Sequence, residues 1–246
     1  MNNINIGTGN VLIIVDFNKD LANIIKILPR TTLFLFLFNF INKKIKIYYD
    51  TKKNSNIMLT CNNIQIRWNY IIGVMYDNMC DNHLKLSCNF EIDGKIDFPI
   101  ENSNFMTQQI LKYGLASIHK STKSFFNLCV DDINNYNDFC ISSTFNLEKQ
   151  QKFFSLVKKI YENNNNTINI PLLFRNNEKL SYYLIKYNNN TETLYEIIKK
   201  TNFDMENNNL IINGINLNNL KNIPIEYALL NMVSTDFYIH IIYYPK

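Results

Sequence analysis

The second half of the chain repeats the order of segments found in the first, and this repeat constrains the possible folds more than any other feature. In the first half Val11–Val15, a predicted strand, is followed by the amphipathic segment Asn18–Leu28, a predicted helix. In the second half Phe139–Phe145 precedes Leu147–Tyr161, which has the apolar spacing of a helix. Such a scaffold presents a repeated surface, which favours a binding or encircling role over a single catalytic pocket.

Each half also contains a second, shorter cycle. Tyr70–Met79 and Leu217–Asn222 are the helical segments of these cycles. In the first cycles, strands are predicted after the helix, including Leu33–Ile41 and Ile45–Tyr49 in the first half and Thr193–Ile198 in the second. The sequence therefore predicts an α+β protein of two repeated β-α-β-β-β halves.

The length of 246 residues allows one large domain or two smaller ones. We predict an N-terminal domain over residues 1–100, a connector over residues 101–138 and a C-terminal domain over residues 139–246. Within the connector, Ser103–Lys120 has a partly helical pattern. The apolar run Leu33–Ile41 is too short to cross a bilayer, which needs roughly 20 residues, and no membrane association is predicted.

The cellular setting is predicted from the first residues and from the cysteines. The first ten residues lack a basic region followed by an apolar one, so no secretory signal is predicted. The chain has 5 cysteines, an odd number with irregular spacing, which favours reduced thiols inside a cell. The frequent Asn and Ile residues indicate an AT-rich genome. We expect an intracellular protein, in the nucleus or at a cytoplasmic site of viral replication.

Catalytic and cofactor-binding motifs are missing from the sequence. There is no phosphate-binding loop, dinucleotide fingerprint, zinc-protease helix or nucleophile elbow, and no cofactor is expected. His119, Cys129 and Asp131 are the residue types of a thiol nucleophile, its base and an orienting acid, but their spacing does not bring them together. We therefore predict no catalytic residues, with a small intracellular enzyme using these three as an alternative.

The best candidate for a metal site is formed by Cys80, His83 and Cys88. Thiolates and imidazole suit zinc, and the Cys-x-x-His step is a workable pair of ligands. The alternation of Leu84, Leu86 and Cys88 places the last cysteine on the apolar face of a strand, which favours a buried free thiol. We predict no metal site here.

Lysines on the predicted helices are the candidate binding residues. Lys149, Lys152, Lys158 and Lys159 lie mostly off the apolar stripe of Leu147–Tyr161, and Lys19 and Lys26 have the equivalent place in the first half. A solvated helix face would show the same pattern. Alternatively, these lysines contact the phosphates of a nucleic acid without recognising its sequence.

The end of the chain carries a family resemblance. Leu210–Ile223, Glu226–Val233 and Asp236–Lys246 look like the final strand, helix and paired strands of a sliding clamp. The order of segments also resembles the proliferating-cell-nuclear-antigen-like family, including poxvirus late transcription factors of clamp-like fold.

This resemblance implies helices on one face of a continuous antiparallel sheet. It also implies a non-enzymatic factor that associates with DNA, independently of sequence, and with DNA or RNA polymerase components, in a possible homo-oligomer. We expect a processivity factor for viral DNA replication, or alternatively a viral late transcription factor. An alternative of another class is a host-interaction protein.

Overall fold

The computed structural model describes residues 9–17, 21–79, 83–95, 103–144, 146–162, 168–176, 179–187 and 192–246. The chain divides into two compact units. The N-terminal unit comprises Thr8–Met106 with Cys140–Phe145, and the C-terminal unit includes Thr107–Phe139 and Asn146–Lys246. The three domains that we predict from the sequence stay a prediction.

The N-terminal unit is a five-stranded mixed sheet with two helices. In chain order its elements are β1 (Asn10–Phe17), β2 (Ile24–Pro29), α1 (Phe34–Tyr48), β3 (Ser55–Cys61), β4 (Ile64–Ile66), α2 (Ile72–Met79) and β5 (Leu84–Ile92). The strand order is β2-β1-β5-β3-β4. The central pair β1 and β5 is parallel, and the other pairs are antiparallel.

Alternation along the strands builds the core of this unit. Val11, Ile13 and Val15 of β1 are buried on one face of the sheet. Phe34, Leu37, Phe38, Ile41 and Ile45 of α1 repeat at helical spacing and are buried in the same apolar cluster. One apolar core therefore joins α1 to the inner face of the sheet.

The C-terminal unit contains a second sheet with the same plan. Its elements are β6 (Ile168–Arg175), β7 (Leu180–Tyr187), α7 (Leu194–Lys199), β8 (Asn208–Ile212), β9 (Ile215–Asn216), a 3₁₀ helix (Leu217–Leu220), α8 (Ile225–Asn231) and β10 (Ile239–Pro245). The strand order is β7-β6-β10-β8-β9, with a parallel pair between β6 and β10.

Both sheets contain a tight hairpin at the corresponding place. Asn62 and Asn63 join β3 to β4, and both have positive φ, of 48° and 65°. Asn213 and Gly214 join β8 to β9 with φ of 49° and 79°. Two central residues with positive φ define the type I′ turn, whose twist suits a two-residue hairpin and which Asn and Gly adopt most readily.

In the described part of the chain between the two sheets lie four helices: α3 (Ser103–His119), α4 (Lys123–Phe126), α5 (Val130–Cys140) and α6 (Leu147–Glu162). In the C-terminal unit the buried ring of Tyr136 stacks on Phe237 at 5.9 Å and lies 6.4 Å from Phe153. The Tyr136 hydroxyl donates a 2.6 Å hydrogen bond to the carbonyl of Thr235. Within the described residues, no helix is both long and apolar enough to span a bilayer.

The predicted fold class is wrong. The structure has two five-stranded mixed sheets, each with a parallel central pair, where we expected one continuous antiparallel sheet with helices on one face. Each repeated unit begins with a hairpin of two strands, so its order is β-β-α-β-β-α-β rather than β-α-β-β-β.

Four segment predictions fail for related reasons. The expected helix Asn18–Leu28 contains the start of strand β2, although residues 18–20 lie outside the described residues. Leu33–Ile41 and Ile45–Tyr49, expected as strands, belong to one helix, α1. Thr193–Ile198, also expected as a strand, is the N-cap and body of α7. Long apolar or β-branched runs fit a buried helix as well as a buried strand.

Candidate functional site

Two of the four lysines predicted on α6, Lys152 and Lys159, form ion pairs at the protein surface. Lys152 lies 2.8 Å from Glu148, one helical turn away. Lys159 lies 2.5 Å from the carboxylate of Asp132 on α5. Lys149 is half-buried, and its backbone N–H is capped by the side chain of Asn146. Lys158 is exposed.

The contacts of Asp132 shift the pKa of its carboxyl group. Partial burial acts to raise the pKa of Asp132, but hydrogen bonds from Lys159 and Cys129 outweigh it and lower the pKa. The same hydrogen bond with Asp132 raises the pKa of Lys159. This pair is a local link between α5 and α6.

The two lysines predicted in the first half do not form a matching row. Lys19 lies outside the described residues. Lys26 belongs to strand β2 rather than to a helix, and its ammonium group lies 4.0 Å from the ring centroid of Phe40 and 5.6 Å from that of Phe36. This cation–π contact links β2 to α1.

Two of the three residues of the weak metal candidate, His83 and Cys88, lie in the described part of the chain, and they differ in burial. Cys80 lies outside the described residues, and His83 is half-buried just before β5. Cys88 is buried within β5, and burial raises the pKa of its thiol to about 12. Within the described residues, no three His, Cys, Asp or Glu side chains are grouped to hold a metal ion.

The alternative catalytic residues are placed at the ends of two helices. His119 is the last residue of α3, and burial lowers its pKa. Cys129 is exposed just before α5, and its Sγ accepts a 3.4 Å hydrogen bond from the backbone N–H of Asp132. The acid that contacts Cys129 is therefore Asp132, while Asp131 is exposed.

An apolar surface that the sequence did not indicate lies on the outer face of the N-terminal sheet. Ile25 and Ile27 of the edge strand β2 are 69% and 64% exposed. Their partners on β1 are Ile14 and Leu12, and Leu12 is 37% exposed. We call these four residues the β1–β2 patch. Because neighbouring exposed apolar side chains are a feature of protein-binding surfaces, the β1–β2 patch is a candidate binding surface.

The β1–β2 patch was missed because its segment was predicted as a helix. The run Ile24-Ile25-Lys26-Ile27-Leu28 does not alternate between apolar and polar residues, so its period does not identify a strand. The available signal was the run of β-branched residues that ends at Pro29, a residue found at strand ends and edges.

Comparison with known proteins gives a consistent result for the fold. Residues 13–93 match the family model described as "Autophagy protein ATG5, UblA domain". The crystal structure of Atg5 from Kluyveromyces marxianus superposes with a TM-score of 0.71 over 98% of this chain and 97% of that chain, at 15% sequence identity. No curated protein matches the chain by sequence.

The chain therefore has an Atg5-like fold. Its two sheets share one strand order with a parallel central pair. The predicted resemblance to sliding clamps and clamp-like late transcription factors is wrong, as is the predicted role in viral replication or transcription. The predicted partners, DNA and polymerase components, are overturned with it. A strand order with a parallel pair at its centre has no place in an antiparallel clamp sheet.

Proposed function

We propose that this protein is an Atg5-like component of the ubiquitin-like conjugation machinery of autophagy, acting as a protein-binding scaffold. The observation that carries the proposal is the likeness to an Atg5 structure over nearly the full length of both chains. The match of residues 13–93 to the ATG5 UblA family model supports it independently, because that match depends on sequence.

A scaffold of this kind acts by holding other proteins, and no catalytic activity of its own is part of the proposal. The exposed β1–β2 patch supports protein binding, because the free energy falls when a partner removes apolar side chains from water. The partners that we propose are relatives of Atg12 and Atg16, the proteins with which Atg5 proteins typically associate.

The proposal includes an intracellular location. Cys61, Cys88 and Cys140 are buried cysteines, and Cys129 is an exposed free thiol. An exposed free thiol is typical of a reducing compartment. A disulfide formed by Cys129 with a thiol outside the chain would contradict this location.

Loss of the protein from its own cells tests the proposed role. Depletion should stop the autophagic turnover of a cytoplasmic reporter during starvation, and re-expression of the chain should restore it. The control is re-expression of a Cys129→Ser variant, which lacks the thiol that an enzyme would use. If the protein is a scaffold, this variant should restore turnover as well as the unchanged chain does. Unchanged turnover after complete depletion would contradict the proposal, and failure of Cys129→Ser alone would point to an enzyme.

A further inference from the structure

Strand β3 has an edge that is only partly covered. Strand β4 pairs with residues 59–61 of β3 and ends there. On the other side, β5 pairs with β3 from Ser55 to Thr60. Within the described residues, no strand therefore pairs with the outer edge of residues 55–58. Such an edge presents backbone N–H and C=O groups that another extended chain can pair with.

The hydrogen bonds at the start of β3 show which residue presents its backbone groups. The carbonyl of Asn54 accepts a 3.0 Å hydrogen bond from Asp93, on the side of β5. Ser55 donates its N–H to Oδ1 of Asn42 at 3.0 Å, on the other side. Because successive residues of a strand point their backbone groups to opposite edges, Ile57 presents its N–H and C=O at the uncovered edge.

A cavity of about 370 Å³ opens at this edge. Its lining includes Phe38, Ile57, Met58, Ile66, Arg67 and Trp68. The volume lies within the range of roughly 300–1,000 Å³ that holds ligands in proteins, and it exceeds the volume of one large apolar side chain. Five of the eight lining residues are apolar, including the single tryptophan of the chain, and the other three, Asn56, Gln65 and Arg67, are polar.

The charge at the cavity comes from Arg67. Its side chain is exposed, and none of the ion pairs in the described part of the chain includes it. Its carbonyl accepts a 3.1 Å hydrogen bond from the N–H of Tyr70, which fixes the backbone beside the cavity. A guanidinium group with no acidic partner matches a carboxylate of a ligand, which it can bind through two parallel hydrogen bonds.

We propose that this cavity binds an extended acidic peptide segment of a partner protein. The peptide backbone pairs with Ile57 as an added strand, one large apolar side chain enters the cavity beside Trp68, and a neighbouring carboxylate pairs with Arg67. Main-chain hydrogen bonds of an added strand give affinity, and the pocket and the charge give specificity. The inference stands apart from the proposed role in autophagy, because it depends only on the N-terminal unit.

Trp68 provides a direct test, because it is the only tryptophan and its emission reports the cavity alone. The probes are three acetylated and amidated pentapeptides, Asp-Glu-X-Asp-Glu with X as Leu, Phe or Ile, and their counterparts with Lys at every acidic position. At least one acidic peptide should change the Trp68 emission saturably, with a Kd below about 1 mM, while its lysine counterpart should not.

Charge reversal at Arg67 distinguishes binding at this cavity from non-specific electrostatic attraction between the acidic peptide and the protein. The Arg67→Glu variant should bind the acidic peptide at least tenfold more weakly and should gain binding to the lysine counterpart. The matched control is Lys43→Glu, which makes the same charge change at an exposed position of α1 outside the cavity, and it should bind as the unchanged protein does. The proposal is overturned if no acidic peptide binds, or if both variants lose affinity equally. Circular dichroism confirms that each variant is folded.

Discussion

Arg30 and Asp77 form an ion pair inside the N-terminal unit, with Nη2 of the arginine 2.5 Å from the aspartate carboxylate. The side chains are only 14% and 6% exposed. The pair joins the residue after β2 to helix α2, and backbone contact reinforces it, because Gly73 donates its N–H to the Arg30 carbonyl at 2.8 Å. The guanidinium also lies over the ring of Tyr76, 5.5 Å from its centroid.

Removing one member of this pair should destabilise the protein strongly. In Asp77→Ala the guanidinium of Arg30 stays largely buried without its counter-charge, and we expect a loss of about 3 kcal/mol in the free energy of unfolding. The matched control is Lys53→Ala, which breaks the Lys53–Asp93 pair of equal length, 2.5 Å, whose side chains are 61% and 63% exposed. That loss should not exceed about 1 kcal/mol. Urea denaturation measures both losses. If Asp77→Ala and Lys53→Ala lowered the free energy of unfolding equally, burial would not be what makes the loss of the Arg30–Asp77 pair costly.

Gly114→Ala should destabilise the C-terminal unit, although alanine favours helices over glycine by about 1 kcal/mol. A Cβ at this position of α3 would lie 2.7 Å from the carbonyl oxygen of Asp236 and 2.9 Å from the ring of Phe237. We expect a net loss of about 2 kcal/mol, because the close packing cannot relax without moving backbone. Tyr113→Ala, at a neighbouring position that is 68% exposed, is the control and should change stability by about 0.5 kcal/mol or less. A stabilised Gly114→Ala variant would show that the contact is absent.

The Asp132–Lys159 pair predicts a dependence of stability on pH. The pKa of Asp132 is lower in the folded protein than its usual 3.8, so the folded state favours the carboxylate. The contribution is fully present above the unfolded pKa and is lost as the pH falls through the folded pKa. Asp132→Asn should therefore be less stable than the unchanged protein at pH 6, and the difference should shrink below about pH 3.8.

The control for this pH dependence is Glu148→Gln. Glu148 pairs with Lys152, but its side chain is 72% exposed against 21% for Asp132, so the pH dependence that it removes should be smaller. Urea denaturation at low salt and at pH 3, 4.5 and 6 measures both, because a non-ionic denaturant does not screen the ion pairs. A constant difference between Asp132→Asn and the unchanged protein at all three values would argue against the pair.

The β1–β2 patch predicts a binding defect without a folding defect. The double variant Ile25→Thr, Ile27→Thr keeps β-branched side chains on β2, and its unfolding free energy should change by about 1 kcal/mol or less. Its affinity for the Atg12 or the Atg16 relative should fall at least tenfold, because burial of two isoleucines contributes more than the 1.4 kcal/mol that a factor of ten requires. Ile47→Thr is the control, since Ile47 is 82% exposed on α1 and lies outside the patch. Unchanged affinity for both partners would exclude the patch from the interface.

Several elements could be predicted from the sequence because their periodicity is unambiguous. The apolar stripe of Leu147–Tyr161 gave helix α6, which the structure extends by one residue to Glu162. Val11–Val15 gave the centre of β1. In both segments polar and apolar residues follow one period only, so local preference and tertiary packing agree.

Helix α1 could not be predicted, because its sequence contains no such contrast. Phe34, Leu35, Leu37 and Phe38 are all fully or almost fully buried, and a helix that is apolar on most sides has no polar face to mark its period. With two strands in place of α1, the predicted order of elements is a clamp-like one, whereas the observed order in each unit is β-β-α-β-β-α-β. The β1–β2 patch was lost for the same reason, since which face of β2 is exposed follows from its pairing with β1 and not from its composition.

The central claim, that this chain is an Atg5-like scaffold, is tested most directly by complex formation in vitro. The purified chain is mixed with the Atg12 and Atg16 relatives of its own organism and analysed by gel filtration with light scattering, with bovine serum albumin as the unrelated partner. The account predicts a stable complex whose mass is the sum of its components and in which this chain is required. If the folded chain elutes alone in the presence of both relatives at micromolar concentration, the account is wrong.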